Sequence, residues 1–175
     1  MARGGHTAAR SRDDFIGVQG DGRLIQTAFD ALAAEPVMVL ATLPSGDPAR
    51  IHVSANARLE RFVPHNVALD RAVCVITHGG MGATQKALAR GIPLCVVPFG
   101  RDQFEVARRV GVAGAGTRLP AGRLRPDRLL AKVREAMTKP ERARRVAQSF
   151  AAAGGPSAAA DAFESWLLIQ KVSEL

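Results

Sequence analysis

The sequence predicts an α/β fold: a Rossmann-like, doubly wound parallel sheet of about five strands, with helices on both faces and a helical extension at the C-terminus. Three observations carry this reading. The apolar runs Val73-Cys74-Val75-Ile76 and Leu94 to Phe99 lack polar alternation, so they read as strands buried on both faces. Each is followed by a stretch of helical period, the alternation that builds parallel sheets. A glycine-rich turn, His78-Gly79-Gly80-Met81-Gly82, joins one such strand to the next helix, where a backbone free of Cβ atoms can approach an anion.

The elements follow in order. Residues 1–20 mix Gly, Ser, Arg and Asp without periodicity and read as an irregular lead-in; Asp14-Phe15-Ile16-Gly17-Val18 makes a poor first strand. The main domain spans 21–153. Leu24, Ile25, Ala28, Phe29 and Leu32 form one apolar helical face that ends before Pro36. Val37 to Leu43 is a buried strand, and Pro44-Ser45-Gly46-Asp47-Pro48 a loop. Leu59, Phe62 and Val63 predict a short strand closed by Pro64, with one helical turn over Asn66 to Arg71.

Val73 to Thr77 is the next strand, and Thr84 to Arg90 a helix stopped by Gly91 and Pro93. After the strand ending at Phe99, Asp102 to Val110 is helical and a short strand surrounds Thr117. Pro126 starts a helix at the position proline tolerates, with Leu129, Leu130, Val133 and Met137 on one face. Two further helices, Glu141–Ala152 and Ser157–Val172, flank Gly154-Gly155-Pro156. The last, in the C-terminal segment 154–175, places Phe163, Trp166, Leu167 and Gln170 on one face.

Composition limits the function classes. A chain of 175 residues suits one domain of ordinary size. No apolar run approaches the roughly 18 residues that span a bilayer, and no apolar segment follows the N-terminal arginines as a secretory signal requires. A cytoplasmic location without transmembrane segments is expected. Cys74 and Cys95 lie in apolar strands without ligand spacing, as reduced core thiols do. The net charge of +8 is local: residues 101–145 hold 13 Lys+Arg against 5 Asp+Glu. With no tyrosine and no interleaved aromatics, this segment reads as a solvated helical surface, not a nucleic-acid site.

The glycine turn matches neither the Walker pattern, which ends in Gly-Lys-Ser/Thr, nor the dinucleotide fingerprint, whose third glycine is absent. His78, at a strand end beside it, can hydrogen-bond a phosphate oxygen. Pro98-Phe99-Gly100-Arg101-Asp102-Gln103 closes the following strand, and Asp102 with Gln103 offers acceptors and donors for vicinal hydroxyls at the sheet edge where α/β proteins bind ligands. The alternative is that Asp102 caps the next helix. Phe62-Val63-Pro64-His65 combines an aromatic with a rigid turn, suited to a flat base.

Together, Phe62-Val63-Pro64-His65, His78-Gly79-Gly80-Met81-Gly82-Ala83-Thr84, Gly91-Ile92-Pro93 and Pro98 to Gln103 closely resemble the donor-binding signature of GT-B nucleotide-sugar glycosyltransferases. That group includes UDP-glycosyltransferases and macrolide glycosyltransferases, and the resemblance runs from about Asp21 to Trp166. It implies that His78 binds the donor diphosphate and stabilises its departing charge, helped by backbone groups of Gly79, Gly80 and Gly82. Ala83 and Thr84 face the other phosphate, Phe62 stacks on the base, Val63 and His65 contact it through backbone, and Asp102 and Gln103 hold sugar hydroxyls. It implies no metal and no cofactor beyond the donor itself, a UDP- or dTDP-sugar.

Two departures qualify the resemblance. Many members carry a ribose-binding glutamate where this chain has Lys86, and lysine cannot accept from a diol; a 2′-deoxyribose donor such as a dTDP-sugar is favoured. GT-B enzymes also pair two α/β domains, and this chain matches only the C-terminal one. The expected function is therefore the donor-binding half of a transferase moving a hexose or deoxyhexose to a small-molecule or lipid acceptor, inactive without an N-terminal acceptor domain. Its partners would be the nucleotide-sugar and either an acceptor-domain polypeptide or further copies of the chain. The alternative is a non-catalytic nucleotide-binding or protein-interaction module derived from such an enzyme.

Overall fold

The computed structural model describes residues 14–173, with the side chains of residues 65, 156 and 167–173 outside the description. Six parallel strands, β1 (Phe15–Gln19), β2 (Met38–Thr42), β3 (Ala57–Glu60), β4 (Ala72–Thr77), β5 (Leu94–Val96) and β6 (Gly116–Arg118), form one sheet in the order β3-β2-β1-β4-β5-β6. The chain winds outward in one direction from β1 and in the other from β4. Their shared border is the switch point where open α/β sheets form a ligand crevice.

Among the described residues, seven α-helices connect and flank the strands: α1 (Gly22–Leu32), α2 (His65–Leu69), α3 (Met81–Leu88), α4 (Gln103–Val112), α5 (Pro126–Ala136), α6 (Pro140–Ala152) and α7 (Gly155–Ser173). One face of the sheet packs Ile16, Val18, Val39, Ile76, Cys95 and Val97 against α1 and α5, where Phe29 is fully buried. The opposite face packs Val75, Leu94 and Val96 against α3, α4 and α6. Burying a side chain such as Phe29 or Leu129 contributes about 1.5–3 kcal/mol. These two layers hold the strand ends in place.

Two sequence expectations are corrected. The sheet has six strands, not five, because β1 lies inside the stretch read as irregular lead-in, in the segment judged a poor strand. It is a central strand whose Ile16 and Val18 face the core while Phe15, Gly17 and Gln19 alternate to the other side. The mid-strand glycine and terminal glutamine thus break the apolar run that marks β4. Residues 1–13 of the lead-in lie outside the described residues. The strand expected over 59–63 ends at Glu60 instead, since β3 pairs only with Val39–Thr42 of β2. Phe62-Val63-Pro64 therefore forms the bend that enters α2.

Candidate functional site

The C-terminal ends of β1 and β4 lie side by side, with Gln19 in register with Thr77. The next residue, His78, donates its backbone N–H to the Gln19 carbonyl at 3.4 Å. Its ring Nδ1 lies 3.5 Å from the same oxygen. The imidazole is thereby directed across the glycine turn: a Cβ on Gly80 would sit only 2.8 Å from His78 Nε2. Gly80 is also the N-cap of α3, and no side chain caps that helix. Its first-turn N–H groups and partial positive charge are thus presented beside Nε2.

Gly79 is required for different reasons. Its φ is +94°, and a Cβ there would lie 3.0 Å from Val96 Cγ1 and 3.2 Å from the Gln103 carbonyl oxygen. Its N–H donates to Thr77 Oγ1 at 3.2 Å. This close packing brings the turn after β4 against the start of α4, so the two motifs that are separate in sequence meet in space.

On the second motif, the Gln103 carboxamide oxygen accepts from Phe99 N at 2.8 Å and Gly100 N at 3.2 Å. That oxygen holds the turn after β5. Arg101, with φ 57°, is the one described non-glycine residue at positive φ and completes the bend. Asp102 is exposed, adopts helical backbone and makes no side-chain capping bond to α4. Its carboxylate is not consumed by the cap role weighed against it.

The third motif is looser. Phe62 is 77% exposed, Val63 is half-buried, and His65 opens α2 with its side chain outside the description. Val63 and Ala83 line one cavity of about 50 Å³ between the sheet and α2. Gly82 is exposed with open space around it. Thr84 is buried on the inner face of α3, and its hydroxyl has no partner. Lys86 is exposed in the last turn of α3.

Sequence reasoning missed Gln19, whose backbone orients His78 and whose side-chain oxygen is buried without a partner. Its signal would have been the strand itself, hidden by Gly17. Among the described residues, no cluster of His, Cys, Asp or Glu could hold a metal ion, and no helix is long and apolar enough to cross a membrane.

Comparison with known proteins bears on the family and the fold. The family model described as Erythromycin biosynthesis protein CIII-like, C-terminal domain, matches residues 26–165. The chain is 40% identical over 119 residues to 4'-demethylrebeccamycin synthase of Lentzea aerocolonigenes, covering 67% of this chain and 28% of the relative. It is 33% identical over 138 residues to a PGL/p-HBAD biosynthesis glycosyltransferase of Mycobacterium tuberculosis, covering 77% and 32%. Among solved structures it is similar to the calicheamicin glycosyltransferase CalG4 (TM-score 0.80, 27% identity, 89% of this chain and 42% of that one). It is also similar to the glycosyltransferase VinC in complex with dTDP (TM-score 0.72, 25% identity, 79% and 38%). The chain thus spans under a third of the length of these curated relatives.

Proposed function

The chain belongs to the Erythromycin biosynthesis protein CIII-like C-terminal domain family of GT-B glycosyltransferases, and on that premise we propose that it binds the nucleoside diphosphate of an activated sugar as the donor half of a glycosyl-transfer site. The observation that carries this reading is the position of His78 Nε2 over the uncapped N-terminus of α3, at the switch point of the sheet. Donors aimed at a diphosphate there do most where charge develops, on the departing oxygen.

In the proposed reaction, an acceptor oxygen forms a bond to the anomeric carbon as the bond from that carbon to the diphosphate breaks. The nucleoside diphosphate leaves with the electron pair, and the acceptor proton passes to a base. His78 and the backbone of Gly80 and Gly82 hold the diphosphate, and Ala83 faces the other phosphate; Gly79 serves by setting the turn, since its N–H is held by Thr77 Oγ1, and the Thr84 hydroxyl, buried on the inner face of α3, takes no part. Asp102 holds sugar hydroxyls, with Gln103 contributing through its amide nitrogen while its oxygen secures the turn. Phe62 stacks on the base, and Val63 and His65 contact it through backbone.

The donor is a UDP- or dTDP-sugar carrying a hexose or deoxyhexose, and the acceptor a small molecule or lipid. Lys86 offers no acceptor for a ribose diol, which favours a dTDP-sugar, and the relative VinC was solved with dTDP. Base and acceptor pocket come from a second α/β domain, since this domain is less than half of the relatives' chains. A second reading, an interaction module, rests on Phe163 and Trp166 of α7, exposed with ring centroids 6.1 Å apart.

Calorimetric titration with UDP and dTDP, on wild type and His78→Ala, tests the proposal. Micromolar to millimolar binding that weakens at least about tenfold on substitution is expected. Absence of binding to both nucleotides, or indifference to the substitution, would remove the donor-site reading.

A further inference from the structure

The first turn of α3 leaves a large apolar side chain in solvent: Met81 is 41% exposed and belongs to neither core cluster. Its direction follows from its neighbours. The buried Thr84, Ala87 and Leu88 mark the inner face of α3, and Ala83 lies on the flank that lines the cavity beside α2. Met81 is two residues from Ala83, about 200° around the helix, so it falls on the opposite flank. α3 packs against α2 on the Ala83 side and against α4 on the other. A first-turn side chain also leans toward the N-terminus of its helix, here the sheet edge that carries the site. Met81 is thereby set between the His78–Gly80 cradle and the turn bearing Asp102, two segments that Gly79 and Gln103 pack together. The space around it is open, since a Cβ on Gly82 or Gly100 would meet nothing within 4 Å.

We propose that Met81 selects the donated sugar: its side chain covers the C6 methyl group of a 6-deoxyhexose while the Asp102 carboxylate and the Gln103 amide nitrogen hold ring hydroxyls. The inference rests on the donor-site reading above and narrows it to one class of sugar. A hexose would set its 6-hydroxyl against the thioether, which donates nothing and accepts weakly. That hydroxyl would lose water without a full hydrogen bond in return. A methyl group at the same place gives up no hydrogen bond and shields apolar surface of Met81 from water. The unbranched side chain, with three rotatable bonds, adapts to the contour of the ring. In a closed apolar pocket an added hydroxyl is rejected by about a hundredfold. At a half-open site such as this the discrimination is smaller, and it resides in the sugar, leaving the nucleotide's own affinity unchanged.

The test is titration calorimetry of the full chain with a free nucleoside diphosphate, its glucose conjugate and its 6-deoxyglucose conjugate, which differ from each other only in the 6-hydroxyl. The nucleotide is whichever of dTDP and UDP binds the wild type more tightly. Wild type is compared with Met81→Gln, which keeps the length of the side chain and adds polar groups, and with Met81→Leu, which keeps it apolar. We expect wild type and Met81→Leu to bind the 6-deoxyglucose conjugate about fivefold or more tighter than the glucose conjugate, and Met81→Gln to show less than about a twofold preference. The free nucleotide should bind all three proteins alike. Equal affinity of wild type for the two conjugates, or a preference that persists in Met81→Gln, would overturn the assignment, as would loss of the preference in Met81→Leu. Nucleotide binding that depends on His78 without any sugar preference removes the Met81 role alone. Absence of any nucleotide binding by wild type removes both readings.

Discussion

The imidazole of His78 occupies the space that a side chain on Gly80 would need: Nε2 is 2.8 Å from the position of a Cβ there. The backbone of Gly80 is ordinary, with φ −61° and ψ 131°. Room, not conformation, is what this glycine supplies. Its neighbour Gly79 is the reverse case as well as a packing constraint, since φ +94° itself disfavours any other residue. Two adjacent glycines thus serve distinct purposes, one setting the turn and one letting the histidine lie over the helix terminus.

This separation makes Gly80→Ala informative. The added methyl displaces a side-chain ring and leaves the backbone unstrained, so the melting temperature should change by only a few degrees. Nucleotide affinity should fall about tenfold as His78 turns away from the helix terminus. Gly82→Ala, where a Cβ meets nothing within 4 Å, keeps its N–H and serves as the comparison. Equal effects of the two substitutions in calorimetry would show that the His78 position is immaterial.

Gly79→Ala should act on stability first. Alanine at this φ, with contacts of 3.0 and 3.2 Å to Val96 and the Gln103 carbonyl, should cost about 1–3 kcal/mol. Urea unfolding measures this directly. Because the turn packs on the start of α4, the variant should also lose nucleotide binding, unlike a destabilising substitution of similar size in α5, such as Val133→Ala.

Much of this arrangement was legible in the sequence, and the exceptions have physical causes. β4 and β5 are buried on both faces, so their apolar runs stand out, and the turn following β4 carries its glycines visibly. β1 is equally central, but the sheet is incompletely covered under α2, where Gly17 and Gln19 line a cavity. A strand beside a cavity has no need of an apolar run, so its pattern is lost. The bond from Phe99 and Gly100 to Gln103 was likewise hidden, because a glutamine that binds backbone and one that binds sugar look alike in a sequence. Phe62 was placed at a strand end on apolar pattern alone, yet β3 is an edge strand with exposed Arg58, and the pairing stops two residues earlier.

Gln103 therefore has a testable double role. Gln103→Glu keeps an oxygen for Phe99 N and Gly100 N but loses the amide donor, whereas Gln103→Leu loses both. The glutamate variant should retain near-native stability, and the leucine variant should lose about 1–3 kcal/mol by leaving two N–H groups without their acceptor. Affinity for UDP alone should follow the stability effect. Affinity for a UDP-sugar should fall in both variants, since the donor amide is missing from each. Preserved UDP-sugar affinity in Gln103→Glu would confine this residue to holding the turn.

The buried thiols predict how stability responds to alkaline pH. Cys95 is pushed up to about 12, chiefly by burial, against the opposing hydrogen bond with Thr117. Cys74 is raised as well, first by burial and then by its neighbour Cys95. Since each folded value lies above the ordinary 9.0, the unfolded chain releases these protons first. The thiol contribution is fully present below 9.0, and for Cys95 it is lost as pH rises from there to about 12. Across that window each thiol steepens the fall in unfolding free energy by about 1.4 kcal/mol per pH unit. Comparing urea unfolding of wild type and Cys95→Ala isolates one thiol: the cavity left by the substitution shifts the curve, whereas removal of the titrating group changes its slope. Parallel curves above pH 9.0 would mean that Cys95 ionises as readily in the folded protein as in the unfolded chain, contrary to its burial in β5 between β4 and β6.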